Sequence, residues 1–204
     1  RGEKSYNGVA ILSKIPISNK NHLNWCGFND TRHISVILNN KIRLHNFYVP
    51  AGGDIPDQKI NLKFKHKIKF VNEMITYFKK DETENKILVG DLNIAPYEND
   101  VWSHKQLLNV VSHTPIETDI LKKLLKDGKW VDIMREFVPL EEKLYSWWSY
   151  RNRDWKKSNR GRRLDHIWVS KDLDTILKSF LCCEEIRDWE KPSDHVPLIL
   201  ELSV

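Results

Sequence analysis

The sequence predicts a single α/β domain built from a stack of mixed β-sheets with covering helices. Short apolar runs typical of strands occur throughout the 204-residue chain, and two longer segments repeat apolar residues at helical spacing. The strand-like runs occur both as hairpins and on either side of a helix, which is the pattern expected of a mixed sheet. The chain contains no internal repeat and no low-complexity linker, so we expect one domain over residues 1–204.

The first part of the chain is predicted to form a strand, a hairpin and a helix. Residues 7–13 are a compact apolar run, which is typical of a buried strand. Residues 33–49 contain two alternating runs on either side of Asn39-Asn40, which predicts a hairpin. From 58 to 80 the apolar positions step by 4, 3, 4 and 3 residues, which predicts an amphipathic helix.

The second part of the chain is predicted to alternate between strands and one further helix. Residues 86–93 form a short apolar run that ends in polar residues. Residues 114–127 begin with Thr-Pro, carry Glu117 at the capping-box position and are followed by Gly128, which predicts a helix with both ends defined. Three more apolar runs predict strands, over 163–170, 180–186 and 196–203.

The composition argues against a membrane-spanning or disulfide-stapled protein. No apolar run approaches the ~20 residues that a transmembrane helix needs, and the start has no signal-peptide pattern. Cys26, Cys182 and Cys183 offer neither an even disulfide framework nor a zinc-like spacing. We therefore expect a cytoplasmic protein with no membrane partner.

The positive charge is concentrated in one segment. The net charge is +5, and residues 151–163 contain seven basic residues and one acidic residue, so the rest of the chain is almost neutral. We expect this segment to form a loop, and Trp147, Trp148, Tyr150 and Trp155 lie in it or beside it. Basic side chains interleaved with aromatic ones suit a phosphate backbone and exposed sugar or base faces. A solvated surface loop, with the tryptophan pair packed in the core, is the alternative interpretation.

Polar residues follow several of the predicted strands. Asp91 and Asn93 end one apolar run, Asp165 lies inside another, and Asp194 and His195 precede the last. Their oxygen atoms are ligands that Mg²⁺ prefers, and a buried Asp165 needs a partner such as His195. Asp91, Asn93 and Asp194 could instead be ordinary turn formers. No P-loop and no G-x-S-x-G motif is present, which disfavours nucleotide hydrolysis of the P-loop type and the α/β-hydrolases.

These motifs together resemble the exonuclease III / AP endonuclease branch of the endonuclease–exonuclease–phosphatase superfamily. The matching stretches occur in the family's order and cover essentially the whole chain: NGVAILSK (7–14), TRHISVIL (31–38), NFYVPAGG (46–53), ILVGDLNIAP (87–96), YSWWSYR (145–151), GRRLDHIWVS (161–170) and EKPSDHVPL (190–198). The resemblance implies a four-layer α/β sandwich of two mixed β-sheets flanked by helices.

The resemblance also implies a role for each residue of the catalytic set. Asp91 would orient or deprotonate the attacking water, and Asn93 would lie beside it in the transition-state pocket. Tyr48 would donate a hydrogen bond toward the phosphate. Asp165 would orient His195, which would contact a phosphate oxygen.

Cofactor and partner are implied in the same way. Asp91, Asn93 and Asp194 would hold Mg²⁺ or Mn²⁺. The partner would be double-stranded DNA with abasic sites or 3′ ends, bound by a monomer. The DNA-binding set implied by the resemblance and the basic segment is Arg32, Trp147, Arg151, Lys156, Lys157, Arg160 and Arg162.

One feature of the family has no counterpart in this sequence. The family places an Asn and a metal-binding Glu on strands before the stretch that matches residues 7–14, and only six residues precede that stretch here. We therefore expect a domain whose N-terminal part is missing.

The expected function is Mg²⁺-dependent hydrolysis of DNA phosphodiesters at abasic sites and 3′ ends, as a DNA repair nuclease. Another phosphoesterase of the superfamily, acting on a lipid or a small phosphate, and an inactive DNA-binding fragment are the alternatives.

Overall fold

A computed structural model describes residues 1–151 and 154–203 of the chain. The helices are α1 (Leu62–Phe78), α2 (His104–Leu107), α3 (Pro115–Asp127), α4 (Ile133–Phe137) and α5 (Trp155–Ser158). The strands are β1 (Ile17–Asn21), β2 (His33–Leu38), β3 (Ile42–Tyr48), β4 (Lys86–Asp91), β5 (Trp130–Asp132), β6 (Trp147–Trp148), β7 (Gly161–Arg162), β8 (Asp165–Ser170), β9 (Leu177–Cys182) and β10 (Leu198–Leu202).

Six of the strands form one mixed sheet, in the order β1-β2-β3-β4-β8-β5. Strands β3 and β4 are parallel and are connected through α1, whereas every other neighbouring pair is antiparallel. Because β8 runs against β4, its first residues lie at the edge where β3 and β4 end. Three strands therefore deliver polar residues to the same edge of the sheet.

The sheet is covered on both faces. On one face α1 and α3 contribute Phe70, Phe78 and Leu121 to a cluster that includes Phe47 and Trp168 of the sheet. The other face packs against apolar residues of β9 and β10. Among the described residues, the layers beyond the main sheet contain two antiparallel strand pairs, β9–β10 and β6–β7. The predicted α/β class, with a mixed multi-stranded sheet flanked by helices, is confirmed.

Most predicted elements occur near their expected positions. The hairpin of β2 and β3 turns at Asn39 and Asn40, whose φ angles of 49° and 56° suit this tight connection. Helix α3 has the predicted capping box, in which Thr114 and Glu117 satisfy each other's backbone amides. These elements could be predicted from residue spacing because the turn and capping residues that define them are close together in the sequence.

Three predictions of local structure were wrong. Residues 7–13 form no strand, because no strand of the described residues lies alongside to complete a ladder; Gly8 makes only an isolated bridge to Gly2. Strand β9 ends at Cys182, and a 3₁₀ turn follows over Glu184–Asp188. The segment 151–163, which we expected to be a loop, contains α5 and β7, while its residues 152 and 153 lie outside the described residues.

The described residues bear on two further features of the sequence. Over residues 1–151 and 154–203, no helix is long and apolar enough to cross a membrane.

Cys26, Cys182 and Cys183 are free thiols. Burial raises the pKa of the Cys26 and Cys182 thiols to about 12, so both stay protonated and weakly reactive at neutral pH.

Candidate active site

The register of the sheet brings three predicted site residues together. Tyr48 pairs with Asp91 across the parallel strands β3 and β4, and Asp91 pairs with Asp165 across the antiparallel strands β4 and β8. The three side chains therefore come from one row at the edge of the sheet. This row exists because each residue lies at the terminus of its own apolar strand.

Asn93 holds the carboxylate of Asp91. Its backbone amide donates to Asp91 Oδ1 at 2.8 Å, and its side-chain Nδ2 donates to Asp91 Oδ2 at 2.9 Å. Asn93 adopts a left-handed conformation with φ of 54°, which asparagine tolerates better than most residues. The turn after β4 thus fixes the orientation of the carboxylate by two hydrogen bonds from one residue.

His195 is paired with Asp165. The distance from His195 Nδ1 to Asp165 Oδ2 is 2.7 Å, which meets the geometry expected of an orienting hydrogen bond. Ser146 Oγ donates to the same Oδ2 at 2.7 Å and accepts from the Asp165 amide at 2.9 Å. An isolated β-bridge between Trp147 and His195 anchors the backbone beside the ring.

Burial and the charge of Asp165 set the pKa of His195 and the pKa of Asp91. Burial alone would lower the pKa of His195, but the hydrogen bond and the charge of Asp165 outweigh it and raise the pKa to about 9. For Asp91, burial and then the negative charge of Asp165 raise the pKa to about 7. At neutral pH the imidazole is therefore charged, whereas Asp91 is close to its titration midpoint.

A cavity of about 700 Å³ opens beside these residues. Eight of the predicted site residues are among those that line it, namely Tyr48, Asp91, Asn93, Trp147, Arg151, Arg160, Arg162 and His195. A second cavity, of about 380 Å³, reaches Asp91, Asp165 and His195 from the side of residues 8–10.

Two arginine–tryptophan pairs form part of the wall of the larger cavity. The Arg162 guanidinium lies over the Trp147 ring at 5.6 Å, and that of Arg160 lies over Trp102 at 4.7 Å. The wall is therefore both cationic and aromatic, which suits a phosphate-bearing ligand with flat or apolar parts. The Trp147 indole also donates to Asp194 Oδ2 at 3.0 Å. Trp148 is buried in the core, in agreement with the alternative interpretation of the tryptophan pair.

Three predicted DNA-binding residues do not line this cavity. Arg32 is buried, forms an ion pair with Asp30 at 2.8 Å, and places its guanidinium 5.0 Å from the centre of the Tyr48 ring. Its Nη1 also donates to the backbone oxygen of Tyr48 at 3.3 Å, so Arg32 contacts Tyr48 and not the cavity. Lys156 is exposed and pairs with Asp188 at 2.6 Å, and Lys157 is exposed on the same helical turn.

Ser146 and Trp102 belong to the site but have no clear signal in the sequence. Ser146 acts on Asp165 across 19 positions of the chain, and serine is too common for such a contact to be predicted. Trp102 follows a polar stretch without any periodic pattern. The weak signal for Trp102 is that it is a tryptophan outside any periodic apolar segment, where no periodic core position accounts for it.

The acidic and amide side chains at the sheet edge suit a hydrated divalent cation better than a fully protein-bound one. Within the described part of the chain, no group of three or more His, Cys, Asp or Glu side chains is arranged to hold a metal ion. In the same residues, neither Asp91 nor Asp194 forms an ion pair with a lysine or arginine. Mg²⁺ is commonly bound by one or two carboxylates and several waters. The carboxylates of Asp91 and Asp194 and the amide of Asn93 fit such an ion.

Comparison with known proteins gives consistent matches. The profile of the Endonuclease/Exonuclease/phosphatase family matches residues 1–195. Exodeoxyribonuclease III of Haemophilus influenzae is 30% identical over 220 residues, which cover 98% of this chain and 78% of that protein. DNA repair nuclease APEX1 of Danio rerio is 33% identical over 124 residues, or 61% of this chain and 38% of that protein. The structure of an AP endonuclease from Archaeoglobus fulgidus superposes with a TM-score of 0.85 at 27% identity, covering 94% of this chain and 73% of that one.

Proposed function

The chain belongs to the endonuclease/exonuclease/phosphatase family, in its exonuclease III and AP endonuclease branch, and from this premise we propose that it is a DNA repair nuclease. Its substrate is duplex DNA, whose phosphodiesters it hydrolyses at abasic sites and 3′ ends, with Mg²⁺ or Mn²⁺ as cofactor. The observation that carries the proposal is the 2.7 Å contact between Asp165 and His195, which lines, with Asp91, a cavity walled by arginine and tryptophan.

His195 is suited to bind the phosphate. Its Nδ1 is engaged by Asp165, so Nε2 is the nitrogen left to donate to a non-bridging phosphate oxygen. With a pKa of about 9 the imidazole carries a positive charge at neutral pH. That charge stabilises the negative charge that builds up on the phosphoryl oxygens when water attacks the phosphorus.

Asp91 is suited to act on the attacking water. In the reaction the water oxygen bonds to phosphorus, the bond from phosphorus to O3′ breaks, and the water loses a proton. A carboxylate with a pKa near 7 is a better proton acceptor than an ordinary aspartate. Hydrogen bonds from Asn93 fix both carboxylate oxygens of Asp91. Burial raises the pKa of Tyr48, which keeps its hydroxyl as a hydrogen-bond donor toward the phosphate.

The divalent ion would be held by Asp194, Asp91 and Asn93. When bound, it supplies charge neutralisation on the phosphate and the leaving oxygen. The half-buried Asp194 carboxylate is oriented by the Trp147 indole, which leaves its Oδ1 for a cation.

DNA would follow the basic wall of the cavity. Arg151, Arg160 and Arg162 would contact backbone phosphates, and Trp147 would pack against the sugar that lacks a base. Lys156 and Lys157 would contact phosphates farther along the duplex, and Arg32 would act through Tyr48. We propose that the protein acts as a monomer in the cytoplasm, where its free thiols would remain reduced.

The test is a nicking assay on a labelled duplex that contains one abasic site, with an undamaged duplex and a 3′-recessed duplex alongside. We expect nicking that requires Mg²⁺ or Mn²⁺ and stops with EDTA. His195→Gln should lower the rate by about 10²–10³-fold, whereas His22→Gln, which alters an exposed histidine, should not.

Two other outcomes distinguish the alternatives. Hydrolysis of a phosphoinositide or of sphingomyelin without DNA cleavage would indicate a phosphoesterase with a different substrate. Binding of the abasic duplex without cleavage at any metal concentration would indicate a DNA-binding protein without nuclease activity.

A further inference from the structure

A buried ion pair lies outside all the roles described so far. Lys67 of α1 and Glu117 of α3 approach to 2.5 Å, and both side chains are completely buried. Such a pair is often no more stabilising than apolar residues of the same volume, because both charges lose their hydration. The remaining hydrogen bonds of the two side chains therefore indicate what the pair holds in place.

Lys67 holds the turn that carries the catalytic carboxylate. Its Nζ donates to the backbone oxygen of Asn93 at 2.7 Å and to that of Ala51 at 3.2 Å. Asn93 is the residue whose amide and side chain bind both oxygens of Asp91. The ammonium group thus holds the backbone oxygen of Asn93, while the amide and side chain of the same residue orient Asp91.

Glu117 holds another part of the cavity lining, which contains Ser112 and Arg162. Both of its oxygens accept from the Ser112 amide at 2.9 Å. Ser112 has a φ of 88°, a conformation that a serine rarely adopts without such support. Its hydroxyl accepts from Arg162 Nη1 at 2.7 Å, and Arg162 in turn lies over Trp147.

Helix capping accounts for only part of this arrangement. Glu117 also accepts from the amide of Thr114 at 3.2 Å, as the capping box of α3 requires, and from the Thr114 hydroxyl at 2.6 Å. A capping box does not require the bonds to Ser112 or to Lys67. These extra contacts extend to Asn93 in one direction and to Arg162 in the other.

We propose that Lys67 and Glu117 are positioning residues for the reaction, with Lys67 setting the Asp91–Asn93 turn and Glu117 setting Arg162 through Ser112. The inference rests on the proposed nuclease function for its kinetic consequences. The two ends serve different steps: Asp91 acts on the attacking water, whereas Arg162 contacts the DNA. Loss of the pair should therefore lower kcat and raise KM, whereas loss of the Ser112 hydroxyl alone should raise KM only.

The test uses charge-neutral variants, because a single substitution would leave a buried charge without a partner. Lys67→Met/Glu117→Gln removes the pair. Lys86→Met/Asp81→Asn removes a second, mostly buried ion pair at the start of β4, away from the site, and is the matched control. Ser112→Gly removes the hydroxyl acceptor of Arg162 and leaves the backbone oxygen of Val111, at 3.0 Å, as the other acceptor of its Nη1. It keeps the backbone conformation, since glycine accepts a positive φ.

Two readouts are measured on each variant of the 204-residue chain. The first is kcat and KM for nicking of the abasic duplex. The second is the ¹H–¹⁵N spectrum of the metal-free protein, in which the Asn93 amide, the Arg162 side chain and the Trp147 indole report the positions of the two parts of the cavity lining. The spectrum does not depend on the nuclease function.

We expect Lys67→Met/Glu117→Gln to lower kcat by about 10²-fold, to raise KM and to shift the Asn93 and Arg162 signals, with none of these effects in the control. Ser112→Gly should raise KM and shift the Arg162 and Trp147 signals at unchanged kcat. Wild-type kinetics and wild-type Asn93 and Arg162 signals in the folded pair variant would overturn the proposal. If that variant does not fold, wild-type KM and Arg162 signals in Ser112→Gly overturn it. A wild-type protein without nuclease activity contradicts the proposed function instead, and the spectra then decide the positioning roles.

Discussion

Asp91 and Asp165 lie directly opposite each other on the antiparallel strands β4 and β8. Burial, with a further contribution from the charge of Asp165, raises the pKa of Asp91 to about 7. The same Asp165 accepts the hydrogen bond of His195 and raises its pKa to about 9. The carboxylate of Asp165 therefore favours the protonated form of both neighbours. At neutral pH the His195 imidazole is charged, whereas the Asp91 carboxyl group can gain or lose a proton.

The first prediction concerns the His195–Asp165 pair. In metal-free protein, Asp165→Asn should lower the pKa of His195 by about 1–3 units, because the charge that opposes desolvation is removed. A histidine whose folded pKa lies above its unfolded value adds stability below about pH 6.5 and loses that contribution as the pH rises through about 9. Titration of the His195 ring protons by NMR measures the shift. Asp188→Asn, at the exposed pair with Lys156, is the control and should leave the titration unchanged.

The second prediction concerns stability in acid. Burial lowers the pKa of His33 to about 3 and that of His45 to about 4. Because the unfolded chain binds protons near pH 6.5 and the folded one does not, stability should fall as the pH drops from about 6.5 toward 4, by up to about 1.4 kcal/mol per pH unit for each imidazole. Urea unfolding at several pH values measures this slope. His45→Phe should make it shallower, whereas His22→Gln should change it far less, because exposed His22 is only the smallest of the charges that lower the pKa of His33.

The site and the fold differ in how far they could be predicted. Asp91, Asn93 and His195 could be predicted as site candidates because each adjoins a local apolar run, and the structure places all three around one cavity. The prediction for residues 7–13 was wrong because a strand requires a neighbour, and pairing is not encoded in the run itself. The Lys67–Glu117 pair joins two helices over 50 positions, and no local pattern indicates such a contact.

The third prediction concerns the basic wall. Arg151→Ala and Arg160→Ala should each weaken binding of duplex DNA and make its salt dependence shallower, by about 0.9 in the log–log slope for each phosphate that is no longer neutralised. Binding is measured without divalent metal, over a range of salt concentrations. Lys178→Ala, on β9 and paired with Glu201, is the control with the same change of charge. Equal slopes for all three variants would mean that the two arginines are only solvated surface charges.

The fourth prediction concerns the glycine that precedes Asp91. Gly90 has a φ of 131°, and a Cβ placed there would lie 2.0 Å from the backbone oxygen of Phe47 on β3. Gly90→Ala must therefore push β4 away from β3 at the pair of Phe47 and Gly90, directly before the pair of Tyr48 and Asp91. It combines backbone strain with a steric clash and should cost about 2–5 kcal/mol of unfolding free energy. Urea unfolding measures this cost.

Gly27 provides the matched control for Gly90. It also has a positive φ, of 79°, but a Cβ there meets nothing within 4 Å. Gly27→Ala should therefore cost only the backbone strain, about 1–2 kcal/mol. Nuclease activity under conditions where both variants remain folded should be lost in Gly90→Ala alone, because only that substitution displaces Asp91. Equal stability and equal activity of the two variants would show that the β3–β4 register does not set the position of Asp91.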